Sequence, residues 1–216
     1  MDVKKAISDR RSIRAFTSTP VTQDVLRNVL NLASRAISRV NIHPWEFAVV
    51  TGEILDKIKS ENIACFQKGV PESIPLNGVY RERQVDIAKR LFSSMGIARD
   101  DKERRTWWTQ RGYRYFDAPA AIIIYTGENT DRIGTYLDIG CVTQNICIAA
   151  MEFGLGTCVA NQGVTYPEVL YKNLNIPKEK EIVVSIAIGY PDWDFPANHV
   201  ISPRTDIDTL TSWYGF

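Results

Sequence analysis

The chain predicts an α+β sandwich, a small central β-sheet flanked by helices on both sides. Three observations carry that expectation. "AAIIIYT" (120–126) and "EIVVSIAIGYP" (181–191) are continuous, β-branched apolar runs, as expected of strands covered on both faces. "IGTYLDIGCVTQNICIAAMEFGLG" (133–156) is apolar nearly all round, which marks a central buried helix, and it closes on glycines suited to a C-cap. The chain before them alternates amphipathic helices with a shorter strand.

In order, a short helix spans about Asp2 to Arg10 and runs into the basic stretch "SDRRSIR". Pro20 ends a turn. Thr22 is placed to accept from free amides as an N-cap, and Val25, Val29, Leu32 and Ala33 share one face of the helix that follows. "EFAVVTG" (46–52) reads as a strand closed by glycine, and "GEILDKIKSEN" as a second amphipathic helix. "PESIP" marks a loop. Beyond it, a stretch dense in arginine and aromatics predicts two polar-faced helices broken near Gly96 to Asp100. After the buried helix, "GTCVANQGV" (156–164) reads as a glycine-bounded loop and "YPEVLYKNLNIP" as a helix. The end, from Asp192, reads as an extended arm with a short helix near Asp206 to Trp213. One domain over 1–216 is expected, with a helical insertion at about 66–116 and the arm at about 192–216.

Composition narrows the function classes. Residues are 44% hydrophobic and 24% charged, so the chain has enough apolar mass for a core. Lys plus Arg number 26 against 25 Asp plus Glu, a balance that gives no global attraction to nucleic acid or anionic membrane. The arginine-rich middle is interleaved with Glu82, Asp86, Asp100, Asp101 and Glu103, as in solvated helices carrying i,i+4 pairs, so no nucleic-acid partner is expected. Cys65, Cys141, Cys147 and Cys158 form no C-x-x-C pair, and His43 and His199 complete no cluster at zinc-ligand spacing; no metal site is expected. No apolar run approaches the ~20 residues of a membrane span. The first residues lack the apolar core of a signal peptide, so the expected location is cytoplasmic.

Four stretches carry candidate chemistry. Arg10, Arg11, Ser12 and Arg14 offer forked donors and a hydroxyl suited to phosphate oxygens, or else form a solvated basic face at a helix end. "AISRVNIHPWEF" (36–47) places Ser38, Asn41 and His43 in a loop. Their side chains suit the polar edge of a planar heterocycle, or simply close a turn. The loop at 156–164 has glycines that admit a ligand close to backbone. In "SPRT", Arg204 stands out in an anionic tail.

"AISDRRSIRAFTSTPV", "AISRVNIHPWEFAVVTG", "DIGCVTQNICIAAMEFGLGTC" and "SPR" together resemble the nitroreductase family of flavin enzymes, in that family's order and over nearly the whole chain. "YRERQVDIAKRLFSSMGIARDD" and "WYGF" are further similar to its longer, nitrobenzoate-reductase-like members. The resemblance implies a homodimer that exchanges its C-terminal arms, with FMN at the interface and NADH or NADPH as electron donor. By the same resemblance Arg10, Arg11, Ser12, Arg14 and Arg204 hold the FMN phosphate and ribityl chain. Ser38, Arg39, Val40 and Asn41 touch the flavin's pyrimidine edge, and the backbone of Asn161, Gln162 and Gly163 lies near N5. Arg39 and His43 depart from the family's usual Gly and Gln, and Arg39 brings bulk and charge to where a substrate would stack. Arg39, His43, Arg81 and Arg83 are therefore candidate substrate contacts, Arg81 and Arg83 equally reading as a solvated helix.

No single side chain is expected to be catalytic, because the cofactor performs the hydride chemistry and the protein positions it. The expected reaction is ping-pong reduction of nitroaromatic or similar electron-poor compounds. Quinone or enone reduction, dehalogenation, flavin fragmentation and flavin binding without turnover stay open as alternatives on the same fold.

Overall fold

A computed structural model describes residues 2–71, 74–127 and 131–216. Its helices are α1 (Val3–Asp9), α2 (Gln23–Ala33), α3 (Gly52–Lys68), α4 (Gly78–Ser94), α5 (Lys102–Tyr113), α6 (Arg132–Glu152), α7 (Pro167–Leu174) and α8 (Ile207–Leu210). The strands β1 (Glu46–Thr51), β2 (Ala120–Thr126), β3 (Gly156–Val159) and β4 (Glu181–Gly189) form one sheet in the order β1-β2-β4-β3, every pair antiparallel. Part of the expected "PESIP" loop, 72–73, lies outside the described residues.

The two apolar runs are the two central strands, and their alternation explains why they show no polar face. Ala120, Ile122 and Ile124 with Val184, Ile186 and Ile188 face α2 and α6. Ala121, Ile123 and Ala187 face the other way, onto α3, α7 and the aromatic side chains of Tyr113, Tyr115 and Phe116. Both faces are dry, and the polar exception in mid-strand, Ser185, is buried with its hydroxyl bonded to Ala160 O. Burying each of the three consecutive isoleucines contributes about 1.5–3 kcal/mol.

The expected N-cap forms: Thr22 accepts from the Val25 amide at 3.4 Å. The face of α2 differs from expectation. Leu26, Val29 and Ala33 are buried against α6, while Leu32 is half exposed. At 100° per residue the interface turns on Leu26 rather than Leu32. The helix α6 is buried along its middle and ends as expected at Gly154, φ +70°. Its first turns are buried on one face only: Gly134, Thr135 and Asp138 are enclosed, while Ile133 and Leu137 are exposed. The glycine-bounded "loop" is partly a strand: β3 pairs with β4 from Gly156↔Gly189 to Val159↔Ile186. Four residues opening on a glycine carry too little local signal, and pairing with β4 makes the strand. The expected helix at 206–213 shrinks to one turn, α8. Among the described residues no helix is long and apolar enough to cross a membrane.

Candidate functional site

The basic stretch leaves α1 as an extended segment laid along β3. The Ile13 amide donates to Thr157 O at 2.9 Å, and Ser12 bridges Thr157 in parallel. A Cβ on Gly156 would stand 2.5 Å from Ile13 Cγ1, so only glycine there lets the segment lie this close. From behind, the fully buried Asn198 accepts from the amides of Arg14 (2.6 Å) and Ala15 (3.3 Å) and donates to Ala15 O (2.9 Å) and Asp192 O (2.7 Å). The backbone of residues 12–15 is thus held on two sides.

The side chains are not. Arg10, Arg11 and Arg14 are half-buried, and among the described residues none pairs with a carboxylate. Arg11 donates to Asp9 O and lies 5.9 Å from the Trp193 ring centroid, and Arg14 donates to Ser12 O. Beneath them burial pushes the Cys158 thiol up to about 11, against the opposing pull of Arg14 and the Ser12 hydroxyl. Burial likewise raises the Cys147 thiol. The layer under the basic segment is dry, and its cations face outward.

The 38–43 loop is built the other way. Val40, Asn41 and His43 all have positive φ (+41°, +61°, +44°), a costly conformation for non-glycine residues. The loop is closed by the His43 amide donating to Ser38 Oγ (3.2 Å) and by the Arg39 amide donating to both oxygens of buried Asp138 (3.2 Å each). The Arg39 guanidinium folds back onto the start of α6, hydrogen-bonded to Asp131 and 4.0 Å from Asp138. A Cβ on Gly134 would stand 2.1 Å from its Cζ. The Arg39 charge, expected to stand beside a substrate, is thus shared with the Asp131 carboxylate, with Asp138 close by. His43 is exposed and packs its ring 5.5 Å from buried Trp45.

The 161–164 turn follows β3. Its Gly163 is buried and accepts from the Tyr115 phenol at 2.7 Å, Gln162 donates to Thr109 O of α5 at 3.3 Å, and Asn161 is exposed. Burial pushes the Tyr115 phenol far above the ordinary tyrosine value, so it stays a proton donor to Gly163. Arg204 does not join Arg10–Arg14 within this chain. It donates to Ser202 and Pro203 and lines a cavity with Glu82, Arg83, Asp86 and Ile87 of α4. Arg81 is exposed and donates to Gln84.

The solvated-helix expectation holds for α4, where Arg90 pairs with Asp86 at i,i+4, and for the first half of α5, and fails at the C-terminal end of α5. Arg111 is buried, with Nη1 on Asp117 (2.9 Å) and Nη2 on Arg14 O (2.9 Å) and Phe116 O (3.3 Å). Burial pulls its guanidinium below the ordinary arginine range, and Asp117 opposes that shift. Trp107 and Trp108, four and three residues before Arg111, are the sequence signal for an inward face on this helix.

Among the described residues no group of three or more His, Cys, Asp or Glu could hold a metal ion. The fold is an α+β sandwich whose sheet carries a donor-rich segment, a strained polar loop and a buried glycine turn. The nitroreductase family model matches residues 7–190, and the chain belongs to that family. It is similar to the nitrobenzene nitroreductase of Ectopseudomonas oleovorans, 29% identical over 96% of this chain and 94% of that protein. It is 25% identical to the 4-nitrobenzoate reductase of Pseudomonas putida, over 100% of this chain and 96% of that protein. Among solved structures it superposes on the FMN and NADPH-dependent nitroreductase NfnB of Sphigopyxis sp. strain HMH with a TM-score of 0.93, at 29% identity and 100% coverage of both chains.

Proposed function

We propose that this protein is an FMN- and NAD(P)H-dependent oxidoreductase that reduces nitroaromatic or similarly electron-poor compounds. The observation that carries the site is the donor set on residues 10–14. Three half-buried guanidiniums have no carboxylate partner among the described residues, on a backbone fixed from behind. That set fits a phosphate dianion, for which forked, charge-assisted donors are the strong ligands. FMN, when bound, supplies the hydride chemistry, with the nucleotide donor and the oxidant visiting one site in turn.

The chain's own residues bind and orient. Arg10, Arg11, Ser12 and Arg14 hold the phosphate. Ser38, Arg39, Val40 and Asn41 present the polar edge for the pyrimidine ring, with Arg39 contributing backbone rather than free charge. Asn161, Gln162 and Gly163 set the level of the opposite wall, and Gly163 is kept rigid by Tyr115. Arg204 reaches a phosphate only through a rearranged or partner-borne arm. His43, Arg81 and Arg83 are left as the exposed contacts open to substrate.

The reading includes a homodimer. Large apolar side chains stand exposed on α1 (Ile7), on the 38–43 approach (Ile37), on α6 (Leu137) and along the arm at 192–216 (Leu210, Trp213, Phe216), surfaces that a second copy would cover. Four free thiols go with a reducing, cytoplasmic setting. Mixing FMN-loaded protein with NADH or NADPH without oxygen tests the proposal. Loss of the yellow colour, and its return on adding a nitroaromatic, is expected; a bound flavin that neither nucleotide bleaches overturns it.

A further inference from the structure

We infer that Arg111 and the turn Tyr115–Asp117 form a positioning device that ties the phosphate end of the flavin site to the Gly163 end. The inference rests on the assignment of Arg14 and Gly163 to that site.

The turn is unusual by itself. Tyr115, Phe116 and Asp117 are consecutive non-glycine residues with φ of +55°, +54° and +59°. L-residues avoid this region because the Cβ crowds the following carbonyl, and it persists only where surroundings over-determine it. The surroundings do so from two directions. The Tyr115 side chain is fully buried, and its phenol bonds Gly163 O at 2.7 Å. Asp117 accepts from Arg111 and from Arg114 (2.8 and 3.2 Å), while Phe116 O accepts from Arg111.

Arg111 carries the link onward. The same Nη2 that reaches Phe116 O donates to Arg14 O at 2.9 Å, and its guanidinium sits 4.9 Å from the Phe195 ring centroid and 5.2 Å from that of Trp107. Arg14 is thereby held at both backbone groups, its amide by Asn198 and its carbonyl by Arg111, and only its side chain is left to respond to a ligand. A cation buried merely to fill space is a poor choice, since an apolar side chain of similar volume does as well without the desolvation cost. Here the planar fork is used: the Arg14 carbonyl on one segment, and the Phe116 carbonyl and Asp117 carboxylate on the other, are met at once, and the remaining Nε is buried without a partner among the described residues. One turn therefore fixes the spacing between Arg14 and Gly163. Neither Arg111 nor Tyr115 is a catalytic residue in this arrangement; both act through the residues they hold.

Riboflavin, which is FMN without its phosphate, separates this role from general stabilisation. Dissociation constants for FMN and riboflavin are measured by flavin-fluorescence quenching on the full-length apo-protein. Wild type is expected to prefer FMN. Arg111→Met is expected to cut that preference about tenfold, with riboflavin affinity changed less than about threefold. Tyr115→Phe is expected to weaken both flavins alike and to shift the bound flavin's absorption band, because its effect arrives at the Gly163 end. A folded Arg111→Met that keeps the wild-type preference, or that weakens both flavins equally, overturns the inference. Should Arg111→Met not fold, Asp117→Asn, at a half-exposed carboxylate, is expected to lower the preference about threefold. An unchanged preference there overturns the inference equally. A wild type that binds FMN no better than riboflavin overturns the phosphate-site assignment itself, a result distinguishable from failure of the positioning role alone.

Discussion

The 10–14 segment, between α1 and α2, and the 38–43 loop, between α2 and β1, are both polar and arginine-bearing, and they are built on opposite plans. In the first, the backbone is fixed by Thr157, Asn198 and Arg111 while the guanidiniums have no carboxylate partner among the described residues. In the second, the backbone is strained at three residues, and the single guanidinium is fastened to Asp131 beside buried Asp138. On the proposed function, the difference teaches where the phosphate is received. An arginine whose charge is matched internally acts as a bolt for the fold, and one that is positioned but unmatched acts as a receptor.

The contrast is open to direct attack. The largest effect is expected from Asn198→Ala, which leaves the Arg14 and Ala15 amides without their shared acceptor. Stability should fall by about 3 kcal/mol or more, read as a lower urea midpoint, with FMN affinity falling in step. Arg14→Ala should spare stability and weaken FMN binding by about 1.5–3 kcal/mol in a fluorescence titration, since a charge-assisted contact is lost while the backbone stays fixed. Equal losses of stability and affinity would erase the distinction between scaffold and receptor.

The dry layer beneath the segment gives a pH prediction. Cys158 holds its proton up to about 11 in the folded protein, whereas the unfolded thiol releases it near 9. Its stabilising contribution is thus complete below the unfolded value and disappears as pH rises through the folded one. Urea midpoints measured upward from neutral pH should decline more steeply in wild type than in Cys158→Ala.

The smallest effect belongs to the loop. Gly134→Ala gains helix propensity but pushes the flexible Arg39 guanidinium aside, so net stability should change by under about 1 kcal/mol. Amide exchange at 38–43 should nevertheless quicken. Unchanged exchange would mean that the guanidinium is not what fastens the loop.

What the sequence displayed, and what it hid, follows from the range of the interactions. The strands β2 and β4 announced themselves because both faces are dry, and α6 because its middle is enclosed. The family motifs placed every candidate residue in order along the chain. Hidden were features created by distant partners. The strand β3 exists by virtue of β4, Leu32 was set outward by a small rotation of α2, and Arg39 met its carboxylates about a hundred residues away. Arg111 was the furthest from view. Its helix is as charged as its solvated neighbour, and only the approach of the 10–14 segment and Phe195 turns that arginine inward.

The pairing of Ser12 with Thr157 and of Phe16 with Pro191 has a consequence of another kind. β3 is an outermost strand, and an uncovered strand margin is a template for unwanted association between chains. The 10–14 segment covers that margin and leaves no free run of β3 backbone there for another strand to pair with. A chain trimmed past Phe16 is accordingly expected to clump as well as to lose its ligand, and its solubility would fall before any loss of turnover could be assayed.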